Sequence, residues 1–341
     1  MSAARVTVIG AGVTGLAIAS GLRRHLGSAV GVDVLETADH PGGMIRGVEL
    51  AGMIVDAAAD AIAATPETLT TQLLGFGIDL PIVRPQGAPQ QLIRSDRYVA
   101  LGDPCRGTRE VVGVGGGMWR LTVELTGVAG PIRCGARVAH LRPLGRKWVT
   151  SLVDRAEIIS DAVVMAIPPG SVRQILRGVC LYSQPRFAPR QAVLLAYEHD
   201  HVPANRSTGF LRSAALRDST PVTGLTWIDV KWPASVPRPD VAVARAVLDR
   251  RHDAWSDQQL IANASAIVAN LWGIHGSPVD ARAISWPEAL PGAPLPATRD
   301  PRQPIPGLIL AGSARGLTGI APCLDDAADA IRHVFEVIGE G

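Results

Sequence analysis

The stretch that decides the fold is Arg5-Val-Thr-Val-Ile-Gly10-Ala-Gly12-Val-Thr-Gly15-Leu-Ala-Ile-Ala. Val6 to Ile9 are apolar and mostly β-branched, as a buried parallel strand requires. Gly10 permits a tight turn, Gly12 lets backbone approach a pyrophosphate, and Gly15 lets the following helix pack close on the strand. The N-terminus of that helix offers free N–H groups and the positive end of its dipole to phosphates. Val30 to Leu35 reads as a second strand and ends in Glu36, 21 residues after Gly15. That is close to the spacing of a carboxylate that holds a ribose hydroxyl. Strand, glycine turn, helix and strand-end acid together predict a dinucleotide site; a glycine turn that only packs a helix is the alternative.

A second glycine motif lies at the far end of the chain: Gly307-Leu-Ile-Leu-Ala-Gly312-Ser, then Gly319-Ile-Ala-Pro-Cys323 and a helical tail. The two ends are therefore expected to hold one large dinucleotide between them. A further turn, His40-Pro41-Gly42-Gly43-Met44-Ile45-Arg46, follows the ribose acid. Its paired glycines allow close backbone approach, and Arg46 can reach a phosphate or a ring edge.

These motifs, with Gly52-Met-Ile-Val-Asp56-Ala-Ala-Ala-Asp60 after them, resemble the amine oxidase superfamily of flavoenzymes, and within it the protoporphyrinogen and coproporphyrinogen oxidases. The resemblance extends over most of the chain. Val114-Gly-Gly-Gly117-Met118-Trp-Arg-Leu is similar to the family's G-G-M-x-x-L turn and helix. Ile132 to Val138 and Asp161 to Pro168 are similar to its next strands, Lys231-Trp232-Pro233 to its K-W-P, and Trp286 to Pro291 to its W-x-x-A-L-P. The Gly312 and Gly319-Ile320 to Cys323 stretch is similar to its closing motif. The resemblance implies non-covalent FAD, with cofactor contacts at Gly10, Gly12, Gly15, Glu36, Gly42, Gly43, Arg46, Val138, Gly312, Gly319 and Ile320. It implies hydride removal from a C–H or C–N position to flavin, with O2 as acceptor and a small-molecule substrate. Two other readings stay open: a specialised oxidase of a smaller amine, imine or natural-product intermediate, and a non-redox isomerase or binding protein on the same scaffold.

The chain departs from the family in three places. Only Gly102 to Gly113 stands where relatives insert a helical substrate and membrane-docking segment. Ala58 replaces the glycine of D-x-G-A. Ala61-Ile-Ala-Ala-Thr65 carries no arginine to meet a propionate. The cavity is thus expected to be more open, or closed by a second subunit of a homodimer.

The fold class expected is α/β: a Rossmann-type FAD-binding domain interleaved with a smaller α+β substrate domain. Residues 1–63, 113–175 and 307–341 are assigned to the first, and 64–112 and 176–306 to the second. Pro66 to Gly75 reads as a helix, and Ser256 as the N-cap of another running to about Leu271. Gln191 to Tyr197 and Val222 to Asp229 read as strands of the substrate sheet.

A flavin oxidase needs orientation and dryness more than a catalytic triad, so the candidate catalytic residues are few. Lys231, in the K-W-P stretch, reads as a contact to flavin or substrate or as a solvated strand-end lysine. Asp60 is a candidate substrate contact. Arg315 is a candidate for the ring or substrate, with an ion pair as the alternative. Asp56 reads as a buttress of the flavin loop. His199 and His201 share one face of a strand end with no third ligand near, so no metal site is expected. Asp325, Asp326 and Asp329 read as dipole-stabilising acids near a helix start.

Composition fits a compact enzyme of 341 residues, 47% of them hydrophobic. A net charge of +2 gives no reason to expect nucleic acid or an anionic membrane as partner. The four cysteines, Cys105, Cys134, Cys180 and Cys323, are far apart and suit a reducing cytoplasm. The start runs directly into the first strand, leaving no signal peptide, and no apolar run approaches the ~18 residues of a membrane span.

Overall fold

The computed structural model describes residues 4–87, 91–94, 97–100, 110–179, 187–212, 222–248, 255–291 and 305–339. Two sheets organise them. The first is a five-stranded parallel sheet in the order Ile132–Arg133, Val30–Leu35, Ala4–Ile9, Ala162–Met165, Leu308–Leu310. Ala4–Ile9 is central, and Val6 and Val8 are fully buried. A central parallel strand is covered on both faces, which is why it is apolar throughout rather than alternating.

One face is covered by helices Val13–Leu26, Trp119–Ala129 and Ile320–Gly339. A Cβ on Gly21 would lie 2.3 Å from the Ile331 side chain, so the first and last helices of the chain pack in close contact. The other face is covered by the antiparallel meander Val138–Leu144, Lys147–Leu152, Glu157–Ser160. Trp148 is buried there and donates its indole N–H to the Pro306 carbonyl at 2.9 Å, which pins the incoming last strand.

The second sheet has seven strands: Asp280–Pro291, Phe187–Glu198, Val241–Leu248, Val222–Trp227, Gly209–Arg212, Gln91–Arg94 and Arg97–Ala100. All pairs are antiparallel except Gly209–Arg212 with Gln91–Arg94. Side chains alternate across it. Val193, Leu195, Tyr197, Ala242, Ala244 and Ala246 face helix Asp257–Trp272. Leu194, Ala196, Val241 and Val243 face Leu50, Met53, Val55 and Ala57 of the hairpin Gly47–Leu50 and Met53–Asp56. That second face joins the two sheets.

Several local expectations meet the structure closely. The helix Pro66–Gly75 is capped by Thr65, whose hydroxyl accepts the Thr68 N–H at 3.2 Å. Ser256 and Gln259 form a reciprocal capping box at Asp257–Trp272. Others are corrected. Ile132 to Val138 is not one strand: the chain turns at Gly135 (φ +67°), placing Ile132–Arg133 and Val138–Leu144 in different sheets. The strand at Val222 stops at Trp227, and Ile228–Lys231 is a helical turn. His199–His201 is also a helical turn, with His201 3.4 Å from Glu198. The expectation for Gly102 to Gly113 falls mostly outside the described residues, as do Cys105, Cys180 and most of the Pro-rich stretch before Gly307.

Candidate active site

The three glycines of the first turn serve different ends. Gly10 has φ +102°, and a Cβ there would lie 2.6 Å from the Ala166 carbonyl oxygen. A Cβ on Gly15 would lie 1.9 Å from the Gly10 carbonyl oxygen, so this residue sets how closely the helix meets the strand. Gly12 differs from both. Its backbone is extended (φ −77°, ψ −178°), and a Cβ there would meet no protein atom within 4 Å. Neither conformation nor packing calls for glycine at this position, and an approaching ligand does. No acidic residue lies in the first turn of the helix that follows, leaving its positive end open to phosphate.

Glu36 ends its strand beside this turn. One carboxylate oxygen accepts the Ala11 N–H at 2.7 Å and the other the Ala38 N–H at 2.9 Å. Each oxygen keeps a second lone pair for a hydroxyl. The Glu36 main chain pairs with Arg133 and Ala136, which brings the start of strand Val138–Leu144 to the same corner. Val138 is buried there.

The second glycine turn leans on the first: the Gly42 N–H donates to the Ala11 carbonyl at 2.8 Å, and a Cβ on Gly43 would lie 3.3 Å from Gly12 Cα. Arg46 bonds through Nη1 to His40, whose other ring nitrogen meets Asp39. Arg46 Nε is buried without a partner.

The far end of the chain closes on the same place. A Cβ on Gly312 (φ +56°) would lie 2.4 Å from Thr14 Oγ1, in the first helix. The Gly312 N–H donates to Asp326 Oδ2 at 2.6 Å, and Arg315 pairs with the other oxygen of Asp326. The dipole reading of Asp326 is thereby corrected. Asp326 is buried, burial pushes its carboxyl up from the usual carboxylate range, and it fastens the closing loop. Gly319 (φ +88°) turns the chain into helix Ile320–Gly339.

A buried charge cluster lies where the two sheets join. Asp60 accepts Lys231 Nζ at 2.9 Å and the Trp232 indole N–H at 3.0 Å on one oxygen, and Arg245 Nη2 at 2.8 Å on the other. Burial alone would raise the Asp60 carboxyl, but Arg245 and Lys231 hold it well below the usual range. Lys231 is thus neither solvated nor at a strand end: it closes a helical turn and its side chain is 13% exposed. Nearby, Asp56 accepts the Met118 and Trp119 N–H groups at 2.9 and 2.8 Å, capping helix Trp119–Ala129. Burial pushes its carboxyl up to about 6, against the pull of those two donors. Among the described residues no group of three His, Cys, Asp or Glu could hold a metal ion, and no helix is long and apolar enough to cross a membrane.

Arg245 was not singled out in the sequence. The signal was available: it is the only charged residue in Val-Ala-Val-Ala-Arg245-Ala-Val-Leu, a strand otherwise wholly apolar.

Comparison with known proteins decides the family. Residues 86–327, well over half of the chain, match the family model of flavin-containing amine oxidoreductases, and residues 8–74 match that of an NAD(P)-binding Rossmann-like domain. The chain belongs to the flavin-containing amine oxidoreductase family. The dinucleotide served by the glycine turns is accordingly FAD, and the open approach at Gly12 and the strand-end Glu36 fit it. A coproporphyrinogen III oxidase of Mycobacterium tuberculosis (strain H37Rv) is 28% identical over 216 residues, 60% of this chain. The match covers 46% of that protein, so the chain spans about half the length of the curated relatives it matches. Among solved structures, a putative protoporphyrinogen oxidase from Exiguobacterium sp. 255-15 aligns with TM-score 0.81 at 16% identity, covering 98% of this chain and 99% of that one. A putrescine oxidase aligns with TM-score 0.70 at 14% identity, covering 98% and 99%. These likenesses show a shared fold.

Proposed function

We propose that this chain is an FAD-dependent oxidase of the porphyrinogen oxidase type, removing hydride from a small-molecule substrate with O2 as terminal acceptor. The observation that carries the reading is the meeting of three glycine turns around Gly12, in a chain of the flavin-containing amine oxidoreductase family. Bound FAD supplies the hydride acceptor in its isoalloxazine ring. In this reading Glu36 receives the ribose hydroxyls. Gly12 and the first turn of Val13–Leu26 receive the pyrophosphate, with Gly10, Gly15, Gly42 and Gly43 shaping the turns that meet there. Arg46, Val138, Gly312, Gly319 and Ile320 complete the cofactor's surroundings. Asp326 and Arg315 hold the closing loop in position. Lys231 and Asp60 act at the wall between the two sheets, where Asp60 fixes the lysine by an ion pair that water does not screen.

The division of the chain into an FAD-binding part (1–63, 113–175, 307–341) and a substrate part (64–112, 176–306) belongs to the same proposal. So do a cytoplasmic location and a cavity that is either more open than in relatives or closed by a second copy of the chain.

A second reading, a specialised oxidase of a smaller substrate, is favoured by one observation. No arginine occurs between Asp60 and Thr65, and Thr65 is committed to capping Pro66–Gly75. Anaerobically prepared coproporphyrinogen and protoporphyrinogen, assayed by porphyrin fluorescence, separate the two. Rapid turnover at micromolar substrate supports the first reading. Oxygen consumption with an amine or imine and none with either porphyrinogen supports the second. A protein that neither carries nor takes up FAD overturns both.

A further inference from the structure

Arg245 is buried to within a few per cent, in the third strand of the seven-stranded sheet, beside the central one. It stands on the face that meets the glycine-turn half of the molecule, together with Val241 and Val243. One of its nitrogens, Nη2, is held by Asp60, with Thr226 Oγ1 at 3.5 Å as a weak second contact. Nε and both N–H bonds of Nη1 have no acceptor among the described residues. Three of the five donors of a buried guanidinium are therefore open. Buried donors of a cation are satisfied in native proteins by protein, ordered water or ligand, because leaving them bare is costly.

The pairing around the guanidinium separates these occupants. Asp60 is a single carboxylate against two cations, Arg245 and Lys231. Asp56, the next acid, is committed to the Met118 and Trp119 N–H groups at a helix start. The other buried arginine of this half, Arg206, is better served: it pairs with Asp229, donates to the Pro203 carbonyl and stacks 4.7 Å over Trp227, with only Nε lacking a partner. Among the described residues Arg245 has no carboxylate of its own: it shares Asp60 with Lys231, and Asp56 acts on it through charge alone. The same sheet face remains accessible nearby, since Leu211, paired with Gly224 next to Thr226, is 44% exposed.

We infer that Arg245, fixed by Asp60 and flanked by Lys231, is the anion receptor of the substrate site and that the group it receives is a carboxylate. A carboxylate supplies two coplanar acceptor oxygens that match the open edge of a guanidinium, and its charge strengthens both hydrogen bonds, which a neutral ligand or water does not do. This rests on the reading of the chain as an oxidase with its substrate at this sheet face, and it names the chemical class of that substrate. The arginine comes from a strand about 180 residues beyond Thr65, so the receptor is built from the sheet.

The test compares benzoate with benzamide, of equal shape and different charge, by isothermal titration calorimetry on the protein as purified, whatever flavin it holds. Benzoate is expected to bind and benzamide to bind about ten- to a hundredfold more weakly, the range of one charge-assisted contact. Arg245→Met should remove the preference, and Arg245→Lys should keep part of it because the charge remains. Should Arg245→Met not fold, Arg245→Lys and the paired ligands still decide the matter. Equal affinity for the two ligands, absence of benzoate binding, or an unchanged preference in a folded variant overturns the assignment. FAD content is read separately by acid release, so loss of the oxidase reading and loss of the receptor are told apart.

Discussion

Replacing Gly12 by valine separates the demands of a ligand from those of the fold. The new Cβ meets no protein atom within 4 Å, and an extended φ of −77° suits a β-branched residue. The apo-protein should therefore lose no more than about 1 kcal/mol, the difference between glycine and valine at the N-cap of helix Val13–Leu26, offset by up to about 1 kcal/mol from the narrower unfolded state. The ligand meets a different situation. A branched side chain stands where the pyrophosphate approaches, holding it off the N–H groups of helix Val13–Leu26. Two charge-assisted hydrogen bonds lost at about 1.5–3 kcal/mol each weaken FAD by about 3–6 kcal/mol, or roughly a hundred- to ten-thousandfold. Gly15→Val is the contrasting variant. Its Cβ would lie 1.9 Å from the Gly10 carbonyl, so helix and strand must separate and the apo-protein itself should be destabilised. The assay is flavin absorbance per protein after purification, then FAD titration of apo-protein, with thermal unfolding measured on apo samples so that ligand stabilisation does not enter. Wild-type FAD occupancy in Gly12→Val would refute the ligand argument, and an apo Tm as low as that of Gly15→Val would refute the claim that the fold does not need this glycine.

Glu36→Arg should lose FAD more than tenfold in affinity and also loosen the first turn, because the carboxylate holds the Ala11 and Ala38 N–H groups as well; unchanged flavin content in a folded variant counts against it as ribose ligand. Asp56 gives a pH signature. Its carboxyl is raised to about 6 in the folded protein, so the native state binds its proton more tightly and this residue's contribution to stability falls as pH rises from about 4 to 6. The difference approaches about 3 kcal/mol, and urea unfolding at pH 4 and pH 7 should show that fall in wild type and its absence in Asp56→Asn. Asp60→Asn strands two buried cations, so a loss of about 3–5 kcal/mol in unfolding free energy is expected. Thr65→Ala removes a cap remote from the glycine turns, lowering stability by about 1 kcal/mol at unchanged FAD occupancy.

What could be read from the sequence was local. A strand, a turn with glycines at fixed offsets and a capped helix are each specified within about twenty residues, so the dinucleotide corner, the helix at Pro66 and the N-cap at Ser256 were legible in the sequence. Ile228 and Asp229, which lie in a helical turn, read as strand because a short apolar run does not distinguish the two, and His199–His201 read as a strand end only because it continues the strand Phe187–Glu198. The charge cluster was illegible for another reason: Asp60 lies 171 residues from Lys231 and 185 from Arg245, and only the packing of one sheet against the other brings them together.

Asp326 stands between these cases, because part of its role was written in the helix period. The buried positions of the last helix are Ile320, Ala321, Cys323, Leu324, Asp326, Ala327, Ala330, Ile331 and Val334, which recur at spacings of three and four. Asp326 falls on that apolar stripe, whereas Asp325 is exposed and Asp329 half-buried. An acid on the buried face of a helix needs a partner in the core, and the period alone separates it from an acid that serves the dipole. Its partners, the Gly312 N–H and Arg315, belong to the loop that closes against Thr14. A charge in an apolar period is thus the common mark of Asp326 and Arg245, and in both it points to a contact the sequence cannot supply: a loop for the first, and for the second the carboxylate of a substrate.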